Sequence, residues 1–334
     1  MHPAFQGLLT IVIGVGGCIA YYYFSNLFLD KVLFPARGPQ AGRNINRANM
    51  IRPWLFLFPA LFALSIYLAY PVIETLRLSV TQRIPGGGSA FVGLQNYQAM
   101  FAEPKFWEAL RNNFLWLLIV PAFSTAFGLL AAQLTDRIKW GNIAKSLIFM
   151  PMAISFVGAA VIWKLVYDTR PEDVAQIGIL NAIVVQLGGT PQTWLTIPIW
   201  NSILMMVVLI WIQTGFAMVI LSAALRGVPE DTIEAAIVDG ANPFQIFFKI
   251  KVPQIMGTIV VVWTTITIVV LKVFDIVFAM TNGQWETQVL ANYMYDKLFR
   301  ANDWGIGSAS AMIIMLLVTP ILVWNVYNAR KEMR

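Results

Sequence analysis

The sequence predicts an all-α, polytopic membrane protein with about seven transmembrane helices. Of 334 residues, 58% are hydrophobic and only 12% are charged. Soluble domains are about 45–50% apolar and about 25% charged, so this chain has too little charge to coat a globule. Disorder needs the opposite composition, low hydrophobicity with high charge. Apolar runs near 20 residues, enough to cross a roughly 30 Å hydrocarbon core, recur along the whole sequence.

The rare residues exclude several function classes. Cys18 is the only cysteine and His2 the only histidine. A disulfide within one chain, a Cys- or His-ligated metal site and a His-based triad are therefore ruled out. There is no GxxxxGK[ST] phosphate loop. The net charge of +6 suits basic cytoplasmic loops better than a nucleic-acid partner.

The first run, residues 5–29, has no Lys or Arg before it, while Lys31, Arg37, Arg43, Arg47 and Arg52 follow. A signal peptide has the reverse order, so this reads as a retained helix with its N-terminus outside. Tyr21, Tyr22 and Tyr23 near its inner half read as an interfacial belt. Residues 31–52, with Pro35, Gly38, Pro39 and Gly42, read as a loop. The second span, 53–70, continues towards Val80 with a kink near Pro71. Pro85-Gly86-Gly87-Gly88-Ser89 is an irregular turn. Span three covers about 108–134, and span four about 145–167 after a short basic connection. Residues 177–187 are apolar but too short to cross, so they read as an interfacial or re-entrant helix. Spans five, six and seven cover about 199–225, 253–280 and 306–327. With the N-terminus outside, the inside segments hold 14 Lys and Arg and the outside segments 7. That bias puts the C-terminus in the cytoplasm.

The loop at 226–252 reads as two short helices. Pro229 suits a first helical position, with Glu230 and Asp231 at the positive end of the dipole. Gly240 suits the left-handed residue that ends a helix. Asn242 caps a second helix that starts at Pro243, and Pro253 opens span six. Phe244, Phe247 and Phe248 put apolar area on a cytosolic loop, which marks an interaction site or a membrane face.

Glu234-Ala235-Ala236, then Asp239-Gly240-Ala241, then Pro253, resemble the EAA loop of permease subunits in bacterial ABC importers, specifically the maltose-type carbohydrate permeases. Three weaker motifs agree: the segment from Phe91 to Tyr97, Asn181 with Trp194 and Leu195, and Phe274-Asp275 with Thr281-Asn282-Gly283. The resemblance covers about 50–334. It implies a permease domain at 53–334 with a six-helix core, preceded at 1–52 by one extra N-terminal helix and a basic cytoplasmic loop. It points to the α-glucoside branch, which includes glucosylglycerol importers, on the segments 272–283 and 289–296. It implies a bacterial inner-membrane location, a second and paralogous permease, a dimer of P-loop ATPase subunits that bind ATP and Mg, and an external solute-binding protein. Coupling to the ATPase would fall to Glu234, Ala235, Ala236, Asp239, Gly240 and Phe244, with no catalytic or metal-binding role for this chain. One departure is Trp285, where many relatives continue with Gly-Gly-Pro.

The solute path has candidates on two spans. Trp211, Gln213, Thr214 and Phe216 lie on span five, and the resemblance places Gln213 and Phe216 at sugar-contact positions. Gln213 reads equally as an interhelical hydrogen bond. The matching span-six positions, Ile266, Val269, Val270 and Val273, are apolar, which points to a weaker site or one placed differently, such as mainly in the partner permease. Lys272 and Asp275 are three apart, on one face if the helix is continuous. They read either as path residues or as a mutually neutralising pair near the interface. Lys164, near a span end, reads as an interface anchor. A self-contained ion-coupled carrier built on Lys272 and Asp275 is the competing function. A membrane-embedded enzyme has only the loop acids Asp168, Glu172 and Asp173 to draw on.

Overall fold

The computed structural model describes residues 3–84, 86–136 and 138–332. His2, Pro85, Arg137 and Arg334 lie outside the described residues. The chain divides into two compact units, Met1–Glu74 and Thr75–Arg334.

In the first unit, α1 (Pro3–Phe28) ends in a π turn, Leu29–Leu33. Phe34, before Pro35, leaves helical geometry at φ −133°, as a residue before proline tends to. Helix α2 (Ala41–Leu64) starts well inside the stretch read as a loop; only residues 34–40 connect it to the π turn that ends α1. Asn44 Nδ2 pins its start by donating to the Pro35 carbonyl at 3.0 Å. Pro59 cannot donate to Leu55, and Tyr21 Oη donates to that orphaned carbonyl instead, at 2.9 Å. Tyr22 donates to the Phe56 carbonyl at 3.2 Å, and Arg52 pairs with Asp30 at 2.6 Å. Tyr21 and Tyr22 therefore staple α1 to α2 and are not a simple interfacial belt. A second π turn, Ser65–Ala69, leads into α3 (Tyr70–Ser79) just before Pro71, and the helical run continues from Ala41 to Ser79.

In the second unit, residues 86–88 lead into β2 (Ser89–Phe91), which pairs antiparallel with β1 (Thr81–Arg83) in a small hairpin. The short α4 (Gln95–Ala102) follows, then α5 (Pro104–Thr135), which has Pro104 at its start. Span four is not one straight helix. It divides into α6 (Gly141–Phe149), a 3-10 turn at Met150–Ala153, and α7 (Phe156–Val166), with a 104° bend. Pro151 ends the first piece, and the Ser155 hydroxyl caps the second by accepting from Gly158 N at 3.1 Å. Helix α8 (Ile179–Gln186) fills the short apolar stretch, and α9 (Trp200–Arg226) is span five.

The coupling segment holds α10 (Glu230–Val238), α11 (Pro243–Ile246), a π turn at Phe247–Lys251 and a last turn, α12 (Val252–Gln254). Pro229 is the cap residue before α10, one place earlier than expected. Pro253 closes this segment, and span six starts at α13 (Met256–Leu271) after a 72° bend. Span six then breaks again before α14 (Asp275–Met280). The chain continues through α15 (Leu290–Tyr295) to α16 (Trp304–Glu332). Among the described residues, five helices are long and apolar enough to cross a membrane, and each bent pair adds one if it is a single span.

Helices α5, α9 and α13 build the main core around Trp116, Met205, Leu209, Met218, Val262 and Ile266. Small residues allow the close approach. A Cβ on Gly215 would lie 2.6 Å from the Ile148 carbonyl oxygen and 2.9 Å from Phe149 Cα. Both are backbone atoms of α6 and cannot swing aside. Gly215→Val should therefore lower the thermal midpoint of the detergent-solubilised protein by the equivalent of about 1–3 kcal/mol or more. A midpoint equal to wild type in differential scanning fluorimetry would contradict this packing.

Candidate functional site

The coupling segment is seated by a few apolar anchors and otherwise bare. Val228, Ala236, Ile246 and Ile255 are buried, and Ile233 packs against the main core. Glu234, Ala235, Asp239 and Gly240 are exposed. Val238 is 86% exposed and Phe244 76%, with the Phe244 ring stacked 5.7 Å from that of Phe248. So much bare apolar surface on a short capped helix marks an interaction site or a membrane face.

The caps follow from sequence. Gly240 has φ +81°; its N–H donates to Ile237 O at 3.0 Å and Ala241 N to Ala236 O at 2.9 Å. These are the two bonds of a Schellman end. Asn242 Oδ1 accepts from Gln245 N at 2.8 Å, and Gln245 Oε1 accepts from Asn242 N at 2.9 Å. This reciprocal capping box starts the second helix at Pro243.

At the base of the segment lies a charged cluster that sequence reasoning missed. Asp136, the cap residue of α5, pairs with Lys145 of α6 and with Arg226 at the end of α9 (2.9 Å). Ser222 Oγ donates to its carboxylate at 3.2 Å. Burial alone raises the Asp136 carboxyl pKa, but hydrogen bonds and charge from Lys145 and Arg226 hold it below the usual carboxylate range. Its stabilising effect is complete above that range and is lost only as pH falls through the lowered value. Nothing in the local sequence signals this cluster, because its members lie on three helices.

The break in span six builds a second feature. Lys272 ends α13, and Phe274 (φ −139°, ψ −59°) is not helical. Lys272 and Asp275 therefore do not share a continuous helix face, and no ion pair joins them. Side chains from elsewhere take one carbonyl at the break and one near the end of α14. Asn113 Nδ2 of α5 donates to Leu271 O at 3.4 Å, and Lys164 Nζ of α7 to Ala279 O at 3.4 Å. Lys164 is thus a tertiary contact rather than a simple anchor. Lys272 and Asp275 both line a cavity of about 280 Å³ beside the break, with Phe156 of α7, Leu209 of α9, Val269 and Val273.

The span-five candidates divide. Trp211 sets its ring edge-on to Trp163, 5.7 Å away, and the Thr214 hydroxyl donates to its own Ile210 carbonyl at 2.7 Å. Phe216 packs on the main core. Gln213, 8% exposed, makes no hydrogen bond to another described residue, so the expected interhelical bond is absent. It lies one helical turn beyond Leu209, on the same face. None of these four lines the cavity wall itself.

The weaker motifs serve the scaffold. Asn181, fully buried, donates to the carbonyls of Asp168 and Gln192 and accepts from Trp194 Nε1 at 2.8 Å. Asn96 donates to the carbonyls of Ser79 and Thr81, both at 2.9 Å. Asn112, which sequence reasoning also missed, donates to the carbonyls of Glu286 and Gln288 at 2.8 and 2.9 Å. These bonds hold the loop after Thr281, where Asn282, Trp285 and Glu286 all adopt positive φ. Two adjacent asparagines at the start of an apolar span are costly to bury and were the readable signal.

The chain is 63% identical over 99% of its length to the alpha-glucoside transport system permease protein AglF of Rhizobium meliloti (strain 1021), covering 99% of that protein. It is 48% identical to the osmoprotective compounds uptake permease protein GgtC of Synechocystis sp. (strain ATCC 27184 / PCC 6803 / Kazusa), over 84% of this chain and all of that one. Its fold matches a chain in the crystal structure of a bacterial ABC transporter involved in the import of the acidic polysaccharide alginate. The TM-score there is 0.73 at 20% identity, covering 87% of this chain and 99% of that one. The family model for the inner membrane component of binding-protein-dependent transport systems matches residues 124–333, and the chain belongs to that family.

Proposed function

We propose that this chain forms one half of the solute path of an ATP-driven importer for a neutral α-glucosyl compound, such as an α-glucoside or a glucosylglycerol-type osmoprotectant. The carrying observation is the coupling segment, a capped helix with Glu234 and Ala235 exposed and bare Val238 and Phe244 beside it. As a member of its family the chain is a multi-pass permease subunit, not the subunit that hydrolyses ATP. We assign ATP and Mg2+ to a dimer of P-loop ATPase subunits that Glu234, Ala235, Ala236, Asp239, Gly240 and Phe244 engage. A paralogous second permease completes the path, and an external solute-binding protein delivers the solute. The basic bias of the loops favours an outside N-terminus and a cytoplasmic C-terminus in the inner membrane. Residues 1–52 are an addition to the permease domain at 53–334; the match of all of the Synechocystis relative to 84% of this chain supports that division.

The substrate class draws on the relatives and on the cavity. At about 280 Å³ it sits at the lower end of the usual range of about 300–1,000 Å³ for ligand pockets. One glycosyl unit with a short aglycone suits that size. Lys272 and Asp275 supply hydrogen-bonding groups at its wall; Gln213, with Trp211, Thr214 and Phe216, lies off that wall on span five and belongs to the wider path.

The test is a mild-detergent pull-down with mass spectrometry, followed by uptake assays in proteoliposomes holding the purified complex. A P-loop ATPase, a second permease and a solute-binding protein should copurify, and uptake should require ATP. Lys272→Ala with Asp275→Ala should raise the half-saturating glucoside concentration by about tenfold, the equivalent of one lost charge-assisted hydrogen bond. Uptake by the chain alone, without ATP and driven by an ion gradient, would instead establish the carrier built on Lys272 and Asp275.

A further inference from the structure

The last turn of α5 holds the coupling segment at both ends. Gln133 and Asp136 are three residues apart and share a helix face. Asp136 binds Arg226, the residue at which α9 gives way to the coupling segment. Gln133 Oε1 accepts from Lys251 Nζ at 3.5 Å, at the end of the π turn that closes the segment. Both ends of the docking element are thus tied to one turn of one helix.

The chemistry of this turn is unusual. A carboxylate at a helix C-terminus faces the negative end of the dipole and is unfavourable there. Asp136 is retained by two cations and a hydroxyl. Lys145 Nζ also donates to Ser222 Oγ at 2.6 Å, which closes the network. Exposed ion pairs contribute little, but the Asp136 and Lys145 side chains are only 20% and 16% exposed. Lys145 belongs to α6, whose far end is the backbone that presses on Gly215 of α9. After the Pro151 break, the same strand of chain continues to Phe156 at the cavity. A pull on the coupling segment therefore has a short, stiff route to the cavity wall through Asp136, Lys145 and α6.

We propose that Asp136 is a positioning residue that transmits movement of the coupling segment to α5 and α6, and so links the ATPase cycle to opening of the solute cavity. This rests on the docking role given to the segment above.

The experiment measures solute accumulated and ATP hydrolysed in the same proteoliposomes, using the full complex. With Asp136→Asn, the solute moved per ATP should fall by about tenfold, a typical coupling effect, while hydrolysis persists. Asp136→Glu should restore most of the ratio. Arg226→Gln, which leaves the Lys145 pair intact, should lower it by a few fold and add nothing on top of Asp136→Asn. An unchanged ratio would overturn the proposal, as would uptake and hydrolysis falling in parallel in both Asp136 variants. If Asp136→Asn does not assemble, the ratio in Arg226→Gln decides by the same two outcomes. Failure of the docking role itself looks different: no ATPase copurifies with the wild-type chain, or Gly240→Pro leaves the ratio intact.

Discussion

Gly240→Pro should abolish capture of the ATPase while leaving the chain in the membrane. Gly240 sits at φ +81°, and proline is confined near −65°. Its N–H, donated to Ile237 O, would be lost. Asp239 before it has φ −72°, ψ 1°, a conformation disfavoured ahead of proline. Together these cost about 3 kcal/mol or more in a helix end, enough to unwind the end of α10 and displace Val238. Copurification of the ATPase should then drop by more than about tenfold, since each 1.4 kcal/mol is a factor of ten. Gly240→Ala separates strain from space. A Cβ there meets nothing within 4 Å, so only the backbone penalty of about 1–2 kcal/mol remains, and capture should weaken less. Wild-type capture by the proline variant would end the docking reading of this segment.

Asn113→Ala should damage the solute cavity from a helix that does not line it. Asn113 is 2% exposed. Its Oδ1 accepts from Leu290 N at 2.8 Å and its Nδ2 donates to Leu271 O. Truncation leaves a buried N–H unpaired, at a cost of about 1–3 kcal/mol, and releases the carbonyl at the break. The thermal midpoint should fall by several degrees, and uptake should fall at saturating as well as limiting solute. Asn113→Asp keeps the acceptor for Leu290 but sets a carboxylate against the Leu271 carbonyl, so uptake should still fall with less loss of stability. Normal uptake in both variants would show that the break does not depend on Asn113.

Much of the architecture is legible along the chain because its causes are local. The apolar runs identify the long helices, and Pro71 lies two residues after the π turn Ser65–Ala69. The coupling segment is the clearest case. Asn242, Pro243 and Gln245 specify one helix start, and Gly240 one helix end, all within four residues of the bonds they make. The misreadings also have local causes. Pro151 and Ser155 signal the break in span four, but the apolar run across them masks it. Residues 41–52 look like loop because Gly42 and the arginines dilute the apolar signal, yet arginine, alanine and methionine favour helix.

By itself, the sequence determined the membrane class, the long helices, and the caps of the segment at 226–252. Each depends on side chains within a few residues of one another, or on total apolar content. Only the tertiary structure decided the break in span six and the grip on the coupling segment. Leu271-Lys272-Val273-Phe274-Asp275 contains neither proline nor glycine. The helix stops there because Asn113, 158 residues away, takes the last carbonyl, and Phe274 stacks on Phe278 and packs tilted against Tyr295. Asp136 meets Arg226 across 90 residues. Such partners carry no local period or spacing, and only the packing of α5 against α9 and α13 brings them together.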